Sequence, residues 1–186
     1  MSGAPGAGKS TLARALSDRL RLPFVDKGVL REAALFSSCA DDVRLAPWGP
    51  GLWYPALESL LDLGVSVIGD MTLFPGVSEP DVRSRLAPRA HLFCVHCRCS
   101  NPSARWLSKL QGQPLRADSS GELLATVLAL QESLADPMDL GCRTLVVDTE
   151  DGYEPSVDGV EEEIRNFARS LGDEDGDATL APRELE

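Results

Sequence analysis

Short apolar runs alternate along the chain with longer segments whose apolar positions recur every three to four residues. The apolar runs are Leu22–Val25, Val65–Gly69, Ala90–Cys97 and Arg143–Asp148. The segments with helical spacing are Thr11–Leu20, Gly28–Phe36, Pro55–Leu63, Ser78–Ala87, Ser100–Leu110, Glu122–Leu134 and Ser156–Leu171. Buried parallel strands are nearly continuous apolar runs, whereas amphipathic helices have period 3.6. The pattern predicts an α/β fold whose parallel sheet is covered by helices on both faces.

Segments rich in proline, glycine or polar residues separate these elements. Ala46–Gly51 is predicted to be a loop because its prolines and glycines break regular structure. Gln111–Gly121 is polar and irregular and forms most of a predicted mobile lid at about residues 105–121. Gly172–Glu186 is acidic and predicted to be disordered. We therefore expect one domain over residues 1–171, followed by a tail at 172–186.

The stretch Gly3–Thr11 fits the pattern G-x-x-x-x-G-K-[ST] at every fixed position, which identifies a phosphate-binding P-loop. Glycines let the backbone fold tightly around a phosphate, so that N–H groups point inward. Lys9 is expected to reach the β- and γ-phosphates of a nucleotide, and the Ser10 hydroxyl to hold Mg²⁺. The predicted phosphate-contacting residues are Gly3, Ala4, Pro5, Gly6, Ala7, Gly8, Lys9, Ser10 and Thr11. The alternative is a chance glycine-rich loop before a helix.

Only Met1 and Ser2 precede this loop, where a P-loop protein has a buried central strand. Two residues are fewer than the five or six of a typical strand. We expect either that the true start lies upstream or that the fold lacks most of its first strand, and we favour the first interpretation.

Three aspartates, Asp26, Asp70 and Asp148, end predicted strands, and parallel sheets bind ligands outside the carboxyl ends of their strands. Asp26 is the candidate catalytic base that orients or deprotonates an acceptor hydroxyl; the alternative is a helix N-cap. Asp70 is the candidate partner of Mg²⁺ through a bound water; the alternative is a capping or turn aspartate.

Arginines in the predicted lid are candidates to stabilise charge on a transferring phosphoryl group. Arg105 is the first choice and Arg116 the second, although arginines are also common on ordinary surfaces. The aromatic segment Trp48–Tyr54 lies where an acceptor pocket would form, and Phe74 is a further aromatic candidate. Packing of a long loop explains these aromatic residues equally well.

Composition narrows the class of protein. The 186 residues are 43% hydrophobic and 25% charged, as in a globular enzyme, and the net charge is −11. An acidic surface argues against a broad nucleic-acid interface. No apolar run approaches a membrane span, and no signal peptide is visible. Five cysteines without a secretion signal fit reduced thiols in the cytoplasm.

A cluster of cysteines at Cys94, Cys97 and Cys99 suggests either a metal site or a buried strand. Cysteine is among the most buried residue types, and no second pair of cysteines follows to complete a tetrahedral site. Burial in a strand is the favoured interpretation.

Taken with Asp26 and the Asp70 strand, these motifs resemble the P-loop kinase superfamily. The resemblance is to the small AAA-family ATPases that group with zeta-toxin-like, chloramphenicol-phosphotransferase-like and polynucleotide kinases. It rests on Ser2–Leu16, Leu22–Lys27, Gly64–Ile68, Val95–Arg98, Pro137–Gly141 and Leu145–Thr149, and it covers roughly residues 2 to 171.

The resemblance implies a three-layer sandwich with strand order 2-3-1-4-5 and ATP-dependent phosphorylation of a hydroxyl. It also implies a base at Asp26, P-loop roles for Lys9 and Ser10, a lid arginine near Arg105, and adenine near Thr149–Pro155. The leading hypothesis is therefore a kinase that uses ATP and Mg²⁺ on a small-molecule acceptor. The alternatives are a nucleotide-binding AAA-family ATPase module without kinase activity, a polynucleotide 5′-hydroxyl kinase, and a toxin acting on a cell-wall sugar nucleotide. The oligomeric state stays open.

Overall fold

Helices and strands alternate along the chain in the computed structural model, which describes residues 1–35, 48–110 and 132–175 together with positions 125 and 129. Within these residues the helices are α1 (Lys9–Leu20), α2 (Lys27–Leu35), α3 (Trp48–Asp62), α4 (Ser78–Asp81), α5 (Pro102–Leu110) and α6 (Val157–Asp175). The strands are β1 (Phe24–Asp26), β2 (Ile68–Asp70), β3 (Phe93–Arg98) and β4 (Arg143–Asp148). A π-helical turn at Val82–Leu86 continues α4, and a 3₁₀ turn spans Glu132–Leu134. The predicted alternation of helices and strands is confirmed.

The strands pair in parallel, β1 with β2 and β3 with β4. In the first pair Asp26 is the register partner of Asp70, and in the second Arg98 is the partner of Asp148. The prediction that Asp26, Asp70 and Asp148 end their strands is confirmed. The side chains that follow these strands therefore lie along carboxyl ends, where α/β proteins bind ligands.

Met1 and Ser2 lie between the two strand pairs. The Met1 nitrogen donates to the Gly69 carbonyl at 2.8 Å. Ser2 forms a parallel bridge with His96, in which the Ser2 N–H donates to the Val95 carbonyl at 2.9 Å. Hydrogen bonds thus run from β2 through Met1 and Ser2 to β3, and Gly3 begins its loop at the carboxyl side of that connection.

Side chains of β3 alternate between two buried clusters, because successive strand residues point to opposite faces. Val95 and Cys97 pack in one cluster, whereas Cys94 packs in the other. The first cluster joins α1, β4 and α6 and also contains Ala4, Ala7, Leu12, Leu16, Leu134, Val147 and Val160. The second joins α3 to the π-helical turn and also contains Trp53, Tyr54, Leu57, Met71, Leu73, Val82, Leu86 and Leu140. The prediction that Cys94 and Cys97 are buried in a strand is confirmed.

The start of α3 differs from the sequence prediction. Residues 48–51 were expected in a loop, but the helix begins at Trp48. Pro50 is accommodated because the first turn of a helix has no intrahelical partners for its N–H groups. The Trp53 indole donates to the Val25 carbonyl at 3.0 Å, and Trp53 and Tyr54 are buried. Tertiary packing of these aromatic side chains therefore overrides the local effect of proline and glycine.

Ser78 begins α4 without capping it, because its hydroxyl accepts from the Phe74 N–H at 2.8 Å and makes no cap bond. The C-terminal end of α6 differs from expectation. Helix α6 continues to Asp175, so residues 172–175 of the predicted disordered tail are helical. Extending an existing helix gains one hydrogen bond per residue, which favours continuation over a break at Gly172. Residues 176–186, Gln111–Gly121 and most of Glu122–Leu134 lie outside the described residues. No helix in the described ranges has the length and apolar composition to cross a membrane.

Candidate phosphate-binding site

The loop Gly3–Gly8 needs glycine at three positions, because Gly3, Gly6 and Gly8 have φ values of +118°, +89° and +81°. Space imposes the same requirement at two of them. A Cβ on Gly3 would lie 2.1 Å from the Cys97 carbonyl oxygen, and one on Gly6 would lie 2.0 Å from the Pro102 carbonyl oxygen. The loop therefore packs directly on the end of β3 and the start of α5, which fixes its backbone.

Lys9 is buried at the start of α1, with 7% of its surface exposed. Its ammonium donates to the carbonyls of Gly3 and Ala4, each at 2.9 Å, so the side chain folds back over the loop. Burial lowers the pKa of Lys9, and the nearby Asp70 carboxylate opposes that effect. A buried cation is thereby held inside the loop predicted to bind phosphate.

Within the described residues, no side chain caps the N-terminus of α1. The N-cap residue is Gly8, in a left-handed conformation and with no side-chain acceptor for the first amides of the helix. The N–H groups of a first helical turn have no intrahelical partners, and together with the helix dipole they favour an anion. The loop, Lys9 and α1 thus supply donors and positive charge to one place.

The side chains of Ser10, in the first turn of α1, and Asp70, at the end of β2, are in contact. The Ser10 hydroxyl donates to Asp70 Oδ2 at 2.5 Å. Asp70 is 4% exposed, and its Oδ1 atom is buried with no hydrogen-bond partner among the described residues. Nor do three or more His, Cys, Asp or Glu side chains cluster as a metal site within that part of the chain. A hydroxyl and a carboxylate leave most Mg²⁺ positions to water and phosphate oxygens, as Mg²⁺ prefers.

Asp26 lies at the end of β1 and immediately precedes α2. Its Oδ1 atom accepts from the Gly28 N–H at 2.7 Å, which is the geometry of the N-cap interpretation. This bond also fixes the direction of the carboxylate. Because Asp26 is the register partner of Asp70, the two carboxylates end neighbouring strands. The proposed role of Asp26 as a base stays a prediction.

Thr149, directly after β4, packs against the loop Gly3–Gly8. Its hydroxyl lies 3.1 Å from the carbonyl oxygens of both Ala7 and Arg98, and the residue is 6% exposed. Its side chain also lies 3.5 Å from the position of a Cβ on Gly8. Sequence reasoning placed Thr149 near adenine and missed this contact, because a threonine after a strand carries no signal of the distant loop it touches.

Arg105 lies on α5 and faces the loop that follows β4. Its two terminal nitrogens donate to the carbonyls of Thr149 and Glu150, each at 2.8 Å. The guanidinium therefore ties α5 to this loop, and its expected contact with a transferring phosphoryl group stays a prediction. Arg116, the second lid arginine, lies outside the described residues.

Two cavities flank the carboxyl ends of β1 and β2. The larger, about 290 Å³, lies beside Asp26 and is lined by Arg14, Phe24, Val25, Val29, Leu30 and Ala56. The smaller, about 80 Å³, is lined by Lys27, Tyr54, Met71, Thr72, Phe74, Val77, Ser78 and Asp81. Tyr54 and Phe74 thus belong to a cavity wall, although Trp53 and Tyr54 also pack in the core.

A buried histidine connects Ser2, at the base of the loop, to Ala135, which follows the 3₁₀ turn. His96 Nδ1 lies 2.9 Å from the Ser2 hydroxyl, and Nε2 lies 3.0 Å from the Ala135 carbonyl oxygen. Since a carbonyl only accepts, Nε2 carries the proton and donates, while Nδ1 accepts from Ser2. Burial lowers the pKa of His96, which keeps the ring neutral.

Comparison with known proteins identifies the fold. No protein-family model matches the chain, and a search of curated proteins finds no match. Among solved structures, a "putative kinase" from Chloroflexus aurantiacus superposes with a TM-score of 0.72 at 23% identity, covering 91% of this chain and 93% of that one. A gluconokinase from Sinorhizobium meliloti gives 0.55 at 21%, covering 92% of each chain. A sugar kinase from a Janibacter species gives 0.53 at 16%, covering 90% and 91%.

These likenesses extend over nearly the whole of each chain, so the protein shares its α/β fold with parallel strands with these structures. At this level of identity the shared property is the fold, and function has to be argued from the site.

Proposed function

We propose that the protein is a P-loop kinase that binds ATP and transfers its γ-phosphoryl group to a hydroxyl of a small-molecule acceptor. The observation that carries this proposal is the Ser10–Asp70 pair beside the buried Lys9, at the uncapped start of α1. A motif match alone predicts a loop; here the loop, the cation and a partly unsatisfied carboxylate come together.

We propose that Met1 and Ser2 take the place of the first strand of a five-stranded sheet, so that β1 to β4 are its second to fifth strands. The order 2-3-1-4-5 then reads β1, β2, Met1–Ser2, β3, β4. The hydrogen bonds from Met1 to Gly69 and from Ser2 to Val95 support this order. The shared fold with structures named as a gluconokinase and a sugar kinase supports a small-molecule acceptor. The subgroup within the P-loop kinases is inferred only from the sequence motifs.

Ser10 and Asp70 are proposed to hold Mg²⁺. The unpartnered Oδ1 atom of Asp70 fits this role, because a buried carboxylate oxygen without a donor is costly unless a cation or bound water satisfies it. Bound MgATP supplies the phosphoryl group, and the cation offsets negative charge on the phosphate oxygens.

The remaining residues of the site neutralise the charge of the phosphate groups and position the acceptor hydroxyl. Lys9 leaves its two carbonyl partners for the β- and γ-phosphate oxygens, which are stronger acceptors because they are charged. The first amides of α1 bind the same anion. Asp26 accepts the hydrogen bond of the acceptor hydroxyl and orients its oxygen toward the phosphorus, with the carboxylate held in place by the Gly28 N–H.

Calorimetry with MgATP tests nucleotide binding. We expect wild type to bind MgATP and Lys9→Ala to lose at least about tenfold in affinity, because a charged hydrogen bond contributes about 1.5–3 kcal/mol. The control variant Arg169→Ala, at an exposed position, should bind as wild type does. Equal binding by Lys9→Ala and wild type would show that the loop Gly3–Thr11 is not the nucleotide-binding site.

Phosphoryl transfer is tested separately, by ADP release with a panel of hydroxyl acceptors. Asp26→Asn keeps an oxygen for the Gly28 N–H, so the fold is retained while the base is lost. We expect kcat to fall by roughly 10²-fold or more. Unchanged transfer in this variant would show that Asp26 is only an N-cap.

A nucleotide-binding module without kinase activity is the second candidate. The bonds of Arg105 to two backbone carbonyls favour it, because that guanidinium is occupied away from the loop. MgATP binding that depends on Lys9, with no ADP release across the acceptor panel, would support this candidate.

A further inference from the structure

Ser2 directly precedes the phosphate-binding loop, and its backbone is held on strand β3. The Ser2 N–H donates to the Val95 carbonyl, and the Cys97 N–H donates to the Ser2 carbonyl, each at 2.9 Å. Gly3 follows at once, and a Cβ on it would overlap the Cys97 carbonyl oxygen. The position of Ser2 on β3 therefore sets the place where the loop leaves the sheet. The inference that follows concerns this attachment and rests on the proposed function.

The side chain of Ser2 adds a second attachment, which is buried. Ser2 and His96 are 1% and 2% exposed. The Ser2 hydroxyl lies 2.9 Å from His96 Nδ1 and 3.3 Å from Cys94 Sγ. On the other side of the ring, His96 Nε2 lies 3.0 Å from the Ala135 carbonyl oxygen. These groups form one continuous hydrogen-bonded chain from β3, through Ser2, to the residue after the 3₁₀ turn.

The direction of each hydrogen bond in this chain follows from its last acceptor. The Ala135 carbonyl can only accept, so His96 Nε2 carries the ring proton and Nδ1 accepts from the Ser2 hydroxyl. That hydroxyl has a single proton, which it gives to His96, so the Cys94 thiol donates to the Ser2 oxygen. Successive hydrogen bonds of this kind polarise one another, and a buried group that loses its partner is unfavourable. The chain therefore holds the Ser2 side chain in one rotamer.

The backbone that follows Ser2 is the part of the loop that receives Lys9. The Lys9 ammonium donates to the carbonyls of Gly3 and Ala4, which are the first two residues after Ser2. A change of backbone direction at Ser2 would move both carbonyls and the amides that follow them. Near the other end of the loop, the Thr149 hydroxyl lies 3.1 Å from a loop carbonyl oxygen. One buried side chain thus fastens the loop near each end.

The two ring nitrogens of His96 act on different parts of the molecule. Nε2 reaches Ala135, next to the 3₁₀ turn Glu132–Leu134. Leu134 is 3% exposed and packs in the first buried cluster, so apolar burial also holds this turn in place. Nδ1, in contrast, acts on Ser2, directly before the loop. Loss of the Nε2 contact should therefore affect stability, and loss of the Nδ1 contact should also affect the loop.

We propose that His96 is a positioning residue of the phosphate-binding loop. Its Nδ1 atom acts through the Ser2 hydroxyl and holds the loop in the geometry that binds MgATP. Its Nε2 atom supports the segment at Ala135 and contributes to stability alone. His96 itself contacts neither the nucleotide nor the acceptor.

Two substitutions of His96 separate these contacts. An asparagine amide oxygen lies as many bonds from the backbone as Nδ1, so His96→Asn can still accept from Ser2 but does not reach Ala135. A glutamine amide nitrogen lies as many bonds from the backbone as Nε2, so His96→Gln can still donate to Ala135 but gives Ser2 no acceptor. Ser2→Ala removes the same bond from its other side. Ser17→Ala is the matched control, because the Ser17 hydroxyl donates to the Leu22 carbonyl at 2.6 Å near the other end of α1.

Three quantities are measured for each variant: the free energy of unfolding, the Kd of MgATP by calorimetry, and the amide NMR signals of residues 3–10 without nucleotide. We expect His96→Gln and Ser2→Ala each to weaken MgATP binding by about fivefold or more and to shift the loop amide signals. The double variant should bind no more weakly than the weaker single variant, because both changes remove one bond. His96→Asn should be less stable but bind MgATP within about twofold of wild type, and Ser17→Ala should behave in the same way.

Equal losses of MgATP affinity in His96→Asn and His96→Gln would overturn the proposal, as would wild-type affinity in His96→Gln. A loss of affinity in Ser17→Ala that matches its loss of stability would also overturn it, because affinity would then follow stability. If wild type binds no MgATP, the proposed function falls and the amide signals decide alone. A response in His96→Gln and Ser2→Ala, without one in His96→Asn, then retains the positioning role, and any other pattern overturns it.

Discussion

The Ser10 hydroxyl donates to one oxygen of the Asp70 carboxylate at 2.5 Å, while the other oxygen is buried without a partner among the described residues. An unsatisfied buried acceptor costs about 1–3 kcal/mol, and more when it is charged. The folded protein therefore carries a local cost at this position that a cation can relieve. Such a carboxylate is typical of a binding site, where stability is given up for affinity.

We predict that Asp70→Asn weakens the Mg²⁺-dependent part of ATP binding by about tenfold or more while leaving the free energy of unfolding equal or higher. The amide oxygen can still accept from Ser10, but the charge that attracts Mg²⁺ is lost. Calorimetry of ATP with and without Mg²⁺, together with urea unfolding, measures both effects. The exposed Asp18→Asn serves as a control for loss of one negative charge. A large loss of stability in Asp70→Asn would show that the carboxylate holds the fold and is not reserved for a ligand.

Alanine at Gly6 is expected to destabilise the protein by about 3 kcal/mol or more, because the new Cβ overlaps the Pro102 carbonyl and the backbone has φ +89°. Gly76 provides a matched control, since it has φ +75° but nothing within 4 Å of the Cβ position. Gly76→Ala should cost only about 1–2 kcal/mol from the left-handed backbone. Urea unfolding measures the free energy of unfolding of both variants. Gly76→Ala reports the cost of backbone strain alone, and Gly6→Ala reports that cost together with the overlap of the Cβ with the Pro102 carbonyl. Similar losses in the two variants would mean that α5 does not press on the loop.

The support given by Thr149 can be isolated by two substitutions. Thr149→Val keeps the shape and removes the hydroxyl near the Ala7 and Arg98 carbonyls, so we expect a loss of about 1 kcal/mol in stability and weaker MgATP binding. Thr149→Ser retains the hydroxyl and should keep ATP affinity within about twofold of wild type. Denaturant unfolding and calorimetry provide the two measurements. If the valine variant binds MgATP as wild type does, the contact supports the fold without shaping the loop.

Local sequence rules were sufficient for the parts of the site that are close in sequence. The P-loop pattern predicts a tight glycine loop followed by a helix that begins at Lys9, because the spacing of glycines and the start of a helix are both local features. The strand ends at Asp26 and Asp70 were predictable because short apolar runs ended there, and parallel strands align their carboxyl ends.

The rest depends on contacts between distant residues. The Tyr54 hydroxyl, buried without a partner among the described residues, results from the way α3 packs near Met71 and Arg85, which no spacing rule encodes. Similarly, the position of Arg105 on α5 opposite the Thr149 carbonyl is set by tertiary structure. The helical start of α3 at Trp48 shows the same limit, since burial of Trp53 prevails over local breakers.

The last prediction concerns pH. His96 is buried and neutral, with a pKa lowered mainly by burial, although Asp136 and the Ala135 carbonyl act in the opposite direction. In the unfolded chain the ring takes its ordinary pKa of about 6.5. As pH falls below that value, the unfolded state binds a proton that the folded state does not, so stability declines until the folded-state pKa is reached. Each unit by which the pKa is lowered contributes about 1.4 kcal/mol to the full decline.

Denaturant unfolding at pH 8, 6.5 and 5.5 measures this decline. Wild type should lose more stability over that range than His96→Asn, which cannot titrate, although the variant begins less stable because the Ser2–Ala135 connection is altered. His91, the only other histidine in the chain, is exposed, and His91→Asn should follow the wild-type profile. Parallel profiles for wild type and His96→Asn would mean that other groups, above all the carboxylates, govern the acid sensitivity of the fold, and that His96 binds its proton equally well in the folded and unfolded states.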